Sequence, residues 1–314
     1  MKYRTLGRSG LKVSAVSLGS WLTIGNTVDQ AGTARLVQQA VELGINLLDT
    51  ADVYNRGEAE IALGLAIRGL RRQHLVLASK CFFPMSEDPN DRGLSRKHVV
   101  ESLHASLRRL GTEYLDLYQC HRPDPEVPLA ETAMAMDDLI RQGKVLYWGV
   151  SRWSGAQIVA AVQLCRAEGW HAPIANQPAY NLLDRGIEDE VLPRCAEAGV
   201  GQIVYSPLAQ GALTGKYRAG SPPPDDSRAA NPRINQFLEA QLTPERLARV
   251  ARFAELCRRH GLAPAQVALA FCLRRPEVAS VIVGASRAEQ LVENAAAAEL
   301  VVPPELLAAL ERDV

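Results

Sequence analysis

YLDLYQCH, residues 114–121, places Leu115, Leu117, Gln119 and His121 on one face if it is a strand, because strand side chains alternate. That face is apolar at its start and ends in an ionisable group. Two earlier segments repeat the pattern: INLLDTA (45–51) groups Ile45, Leu47 and Asp49, and LVLASK (75–80) groups Val76, Ala78 and Lys80. Five more short apolar runs read as strands: VSAVSLG (13–19), VLYWGVS (145–151), IANQPAY (174–180), GQIVYSP (201–207) and ASVIVGA (279–285). Between them lie amphipathic helix patterns. In 95–110 the stripe is Val99, Leu103, Leu107 and Leu110, with Ser95 as N-cap and Gly111 as the stop. In 128–142 it is Leu129, Ala133, Met136 and Ile140, ending at Gly143. In 243–260 it is Leu247, Val250, Ala254 and Cys257, opened by Thr243 and Pro244 and closed by Gly261.

Eight strands separated by helices imply parallel strands joined by right-handed crossovers, in an open sheet or a closed barrel. No strand is followed by G-x-G-x-x-G, and the unusual polar residues fall at strand C-termini, where barrel enzymes keep their sites. The pattern predicts an α/β fold, a (β/α)8 TIM barrel forming one domain over residues 1–314. Residues 218–242, which include three consecutive prolines, are expected to form a long loop after the seventh strand on the active-site side.

Lys+Arg and Asp+Glu number 35 each, so charge gives no reason to expect nucleic acid or an anionic membrane as partner. Neither a signal peptide nor a run of membrane-spanning length is present, so no membrane insertion is expected. The six cysteines are scattered without a C-x-x-C pair, which fits free thiols in a cytoplasmic protein. No metal site is expected, since the histidines form neither H-E-x-x-H nor a barrel H-x-H pair.

If the three alternating faces point inward, Asp49, Lys80 and His121 converge at one rim, with Tyr54 on the loop above. These types form a proton-delivery device. A tyrosine hydroxyl titrates near ~10, too high for neutral acid–base work, and a neighbouring ammonium lowers that value. A desolvated lysine keeps its charge only with a partner such as Asp49. His121 can hydrogen-bond and orient a substrate oxygen.

These residues resemble the aldo-keto reductase family: NLLDTADVYNRGEAEIALGLAI carries Asp49 and Tyr54, VLASKC carries Lys80, and YLDLYQCHRPDP carries His121. The resemblance runs from YRTLGRSGLKVSAVSLGSW past the last strand. It implies that Asp49, Tyr54, Lys80 and His121 are a catalytic tetrad and that the chain reduces carbonyl compounds with NADPH. RPDP, YWGVSRWS, NQPAYNLLDR and GASRAEQLVEN resemble the branch containing voltage-gated potassium channel β-subunits. That likeness implies a homo-oligomer, and carries the alternative of an NADP-sensing accessory subunit with little turnover. Channel β-subunits commonly carry Asn where this chain has His121, which favours an enzyme.

The same resemblance implies the NADPH/NADP+ contacts. Ser151, Asn176 and Gln177 suit a carboxamide, and Tyr205 offers a ring to stack on nicotinamide. SPLAQGALTGKY supplies Ser206, Pro207, Leu208, Gly211 and Lys216 for a pyrophosphate. It is not a P-loop, being one residue short with Tyr where Ser or Thr is required. GASRAEQLVEN begins at Gly284 and opens a helix, where Ser286 and Arg287 suit a ribose 2′-phosphate. Gln290, Glu293 and Asn294 are implied adenine and ribose contacts, and Arg228 a second phosphate partner. Trp21 is assigned to the mouth of the pocket and, with Asp49, to the cofactor contacts.

Overall fold

Leu48 lies beside Leu77, Ala78 beside Leu117, and Gln119 beside Gly149, all in parallel register. In the computed structural model this register continues around a closed barrel. Its strands are β3 (Val16–Gly19), β4 (Leu47–Asp49), β5 (Val76–Cys81), β6 (Leu115–Cys120), β7 (Val145–Ser151), β8 (Ala175–Gln177), β9 (Gly201–Val204) and β10 (Val278–Val283). β10 pairs with both β9 and β3, which closes the ring. The (β/α)8 barrel predicted from the strand pattern is the fold. The structure describes all residues except Ala219, Asp226, Arg233 and Gln236, together with the side chain of Ala240. The four residues belong to the 218–242 segment expected to be a loop, so that part of the expectation lies outside the described residues.

Helices α1 (Gln30–Glu42), α2 (Glu58–Ala66), α3 (Arg96–Leu110), α4 (Leu129–Arg141), α5 (Gly155–Glu168) and α6 (Val191–Ala198) fall between successive strands from β3 to β9. The helices α7 (Pro244–Arg259) and α8 (Pro264–Leu273) precede β10, and α9 (Ala288–Ala296) and α10 (Pro304–Asp313) follow it. The expected caps are present: Ser95 accepts from the His98 amide, Thr243 accepts from the Arg246 amide, and Gly111 takes a left-handed conformation after α3. Among the described residues no helix is long and apolar enough to cross a membrane.

Two apolar layers result. The barrel interior holds Leu47, Val76, Ala78, Leu117, Ala175, Ile203, Ala279 and Ile282. The outer layer, between strands and helices, holds Val99, Leu103, Met136, Trp148 and Phe253 among others. Alternation therefore assigned Leu47, Val76, Ala78 and Leu117 correctly, whereas Ile45 and Leu115, at the start of their segments, pack in the outer layer. The 13–19 segment divides: β1 (Tyr3–Thr5) and β2 (Lys12–Ser14) form an antiparallel hairpin, and only β3 enters the barrel. Leu6 and Val13 of this hairpin insert into the barrel interior. Ser14 and Lys12 bond to Asn46, just before β4, so the hairpin covers the end where the strands begin.

Candidate active site

Past Asp49 the chain leaves β4 but keeps the parallel ladder. The Thr50 amide donates to the Ala78 carbonyl at 2.9 Å and the Asp52 amide to the Lys80 carbonyl at 3.2 Å. This extra pairing fixes the rim before the chain enters the short turn Tyr54–Gly57. Asn55 and Arg56 are left-handed there, and Gly57 has φ 92°, which lifts the chain back into α2.

Lys80 is fully buried at the end of β5. Its Nζ donates to Asp49 Oδ2 at 2.7 Å, to the Thr50 carbonyl at 2.7 Å and to the Tyr54 hydroxyl at 3.3 Å. The other Asp49 oxygen accepts from Gln177 Nε2 at 2.8 Å, and Ser151 Oγ donates to the Gln177 carbonyl at 2.8 Å. His121 meets Tyr54 edge to face, with ring centroids 5.7 Å apart, and meets Phe83 at 5.0 Å. The four residues predicted to converge do converge.

Burial works to lower the Lys80 value, but the Asp49 charge and then Tyr54 outweigh it, and the ammonium is held above its ordinary value. For Tyr54 the balance runs the other way. Burial dominates and raises the phenol above its ordinary value, although the Lys80 charge pulls it down. The lowering expected from lysine alone is present and is exceeded by desolvation. Burial, followed by the charges of Lys80, Arg122 and Arg152, holds His121 well below its ordinary value, so it is neutral at neutral pH. Its Nδ1 is buried without a partner. An unpaired acceptor costs less there than an unpaired N–H, which places the proton on Nε2.

The group opens into a cavity of about 1270 Å³ at the strand C-termini. It is larger than a usual small-ligand pocket of ~300–1,000 Å³. Asp49, Tyr54 and His121 line it with Trp21, Ser151, Gln177, Tyr205, Ser206, Pro207, Leu208, Gly211, Lys216 and Arg228. Gly284, Ser286, Arg287, Gln290, Glu293 and Asn294 line it as well. Asn176 does not. Ala175 faces the barrel interior, so alternation along β8 turns Gln177 inward and Asn176 away. Asn176 Nδ2 donates instead to Gln202 Oε1 at 3.0 Å.

Arg122, in the HRPDP stretch that the sequence places at the mouth, also lines the cavity, as do Phe83, Arg152 and Gln210, which sequence reasoning missed. Gln210 donates to Ser206 Oγ at 2.5 Å and accepts from Arg228, tying two predicted residues together. Its position depends on a backbone that no side-chain pattern advertises. The non-glycine residues with left-handed backbone among the described residues are Leu22, Asn55, Arg56, Arg152, Ser206, Ala209 and Gln210. All but Arg56 line this cavity. Such conformations cost roughly 1–3 kcal/mol each, and they persist where surrounding structure enforces them.

The barrel, with ionisable groups clustered at the strand C-termini, defines a class of enzyme-like TIM-barrel proteins. The chain belongs to the aldo/keto reductase family, whose sequence pattern it matches over residues 15–312. It is similar to a probable voltage-gated potassium channel subunit beta of Oryza sativa subsp. japonica, 41% identical over 99% of this chain and 96% of the relative. A putative subunit of the same name in Schizosaccharomyces pombe is 44% identical, over 97% of this chain and 91% of the relative. A third, a probable one from Arabidopsis thaliana, is 41% identical over 96% and 92%.

Proposed function

We propose that the chain reduces aldehydes and ketones, and oxidises the alcohols in reverse, with NADPH as hydride source and Tyr54 as proton donor. The observation that carries this reading is the buried Lys80 ammonium, bridging Asp49 and the Tyr54 hydroxyl at the cavity wall. The cavity's donors fit a phosphorylated dinucleotide. Among the described residues no side-chain cap bond closes the start of α9, which leaves its first N–H groups to an anion, and Ser286, Lys216 and Arg228 line the same cavity. Gln290 is engaged by Ser286, whose amide donates to its Oε1 at 2.9 Å. Tyr205 lines the cavity and offers a flat ring for stacking.

Bound NADPH supplies the hydride; the rest of the chemistry belongs to the chain. Tyr54 retains its proton at neutral pH because burial raises its value, which suits an acid in the reductive direction. Lys80 stabilises the phenolate left behind, and Asp49, held in turn by Gln177, keeps Lys80 charged. Neutral His121 offers its Nε2–H to the same carbonyl oxygen and fixes its approach. Tyr54→Phe keeps the ring and removes the proton; it is expected to lower kcat by about 10²–10⁴. NADPH binding, followed by fluorescence, should change little. Undiminished reduction of a reactive aldehyde by this variant would overturn the mechanism.

The names of the relatives favour a second reading, an NADP-sensing accessory subunit. Tight NADPH binding with negligible turnover over a broad carbonyl panel, together with co-purification of a membrane partner, would support it. His121, placed against Tyr54, favours the enzyme.

A further inference from the structure

Arg122 follows His121 directly, where the chain leaves β6. Its guanidinium donates to the His121 carbonyl at 2.7 Å and lies 5.2 Å from the centre of the Phe83 ring. Arg152, the first residue past β7, has φ 58°, a left-handed conformation disfavoured for a residue with a side chain. Both arginines line the cavity beside Tyr54 and His121.

Other part-buried arginines are paired: Arg72 with Asp116 at 2.7 Å, and Arg109 with Glu60 at 2.6 Å. Among the described residues, no carboxylate lies within ion-pair distance of Arg122 or Arg152. The two cations act on each other instead. Burial, and then the Arg152 charge, lower the Arg122 value. Both charges also reach His121. Arg122 is half-buried and Arg152 exposed; like charges meeting in one cleft without an anion repel, and an oxyanion bound beside them would remove that cost. Covering Phe83 with an aliphatic stem accounts for part of Arg122. It does not account for a second arginine turned into the same cleft.

We propose that Arg122, reinforced by Arg152, is an anion subsite that selects carbonyl substrates bearing a carboxylate. The planar guanidinium keeps most of its donors free of protein partners, and a carboxylate can engage two of them side by side. This inference rests on reading the chain as a carbonyl reductase.

The test compares NADPH-dependent reduction of 4-oxobutanoate and 4-carboxybenzaldehyde with that of the neutral butanal and benzaldehyde, at low salt. The wild type is expected to favour each acid over its neutral partner in kcat/KM. Arg122→Gln should lower that preference at least tenfold, and Arg122→Lys should restore only part of it, since charge returns without the planar fork. Equal loss for acid and neutral substrates would overturn the subsite while leaving the reductase reading intact. A rise in the KM for NADPH matching the loss on the acids would assign Arg122 to the cofactor, and would also overturn it. If no aldehyde is turned over, the reductase reading falls, and calorimetric binding of inert butanoate decides the subsite. A Kd raised tenfold or more by Arg122→Gln supports it, and an unchanged Kd overturns it.

Discussion

Asp52 is completely buried three residues past Asp49, and among the described residues it makes no ion pair. Its carboxyl accepts from Ser102 Oγ at 2.8 Å and from the Val53 amide at 2.6 Å. Burial, and next the charge of Glu60, push its pKa up to about 7. A folded-state value above the unfolded one means the native protein holds this proton more tightly. That stability is complete below about pH 4 and is lost as pH rises towards 7. Asp52→Asn is therefore expected to be more stable than wild type at pH 8, by on the order of 4 kcal/mol, with the gap closing near pH 4. Thermal melts of both proteins at the two pH values check this, and a gap independent of pH would refute it. The tetrad was readable in the sequence because strand alternation forces residues at strand ends to the same side. Asn176 and Gln177 show the limit of applying that rule loosely, since adjacent strand residues cannot both face the mouth. Arg152 and Gln210 were not readable, because a left-handed backbone aims them.

Helix α2 crosses the C-terminal end of α3 closely enough that a Cβ on Gly64 would sit 2.6 Å from the Leu110 carbonyl oxygen and 2.7 Å from that of Arg109. In an exposed helix, glycine to alanine gains ~1 kcal/mol. Here the backbone of one helix must move, and overpacking of this kind costs about 1–3 kcal/mol. Gly64→Ala is expected to destabilise the protein by about 1–2 kcal/mol net, seen as a lower urea midpoint. Because α2 begins directly after the Tyr54 turn, kcat should fall as well. At this scale the eight barrel strands and the three patterned helices were legible, since each carries a complete hydrophobic period. The hairpin β1–β2 was not. Its strands are three residues each, too short for alternation to register, and its purpose lies in contacts remote in sequence. The 218–242 segment contains short helical turns at Arg228–Ala230 and Glu239–Gln241, and its Phe237 packs on Trp21 with ring centroids 4.8 Å apart.

For the molecule as a whole, that hairpin is a stopper. Leu6 is fully buried, and Arg4 donates to the Val278 carbonyl at 2.7 Å and the Leu273 carbonyl at 2.8 Å. Gly7, at φ 59°, lies so close to α6 and β9 that a Cβ would come within 2.4 Å of the Gly199 carbonyl oxygen. Leu6→Ala is expected to cost about 2–5 kcal/mol, measured by urea unfolding. At temperatures well below melting kcat should hold, because the stopper lies at the opposite end of the barrel from Tyr54. If residues 1–314 form one domain, fluorescence and circular dichroism should report coincident transitions.

The left-handed residues around the mouth divide the molecule into two parts with opposed interests. The floor and flanks profit from every gain in packing, and changes there can accumulate without touching a ligand. At the mouth, relief of the unfavourable backbone at Leu22, Arg152 or Gln210 would make the chain more robust and the pocket poorer. Engineering for heat resistance should therefore drift towards the floor, and engineering for new substrates should consume stability gained there.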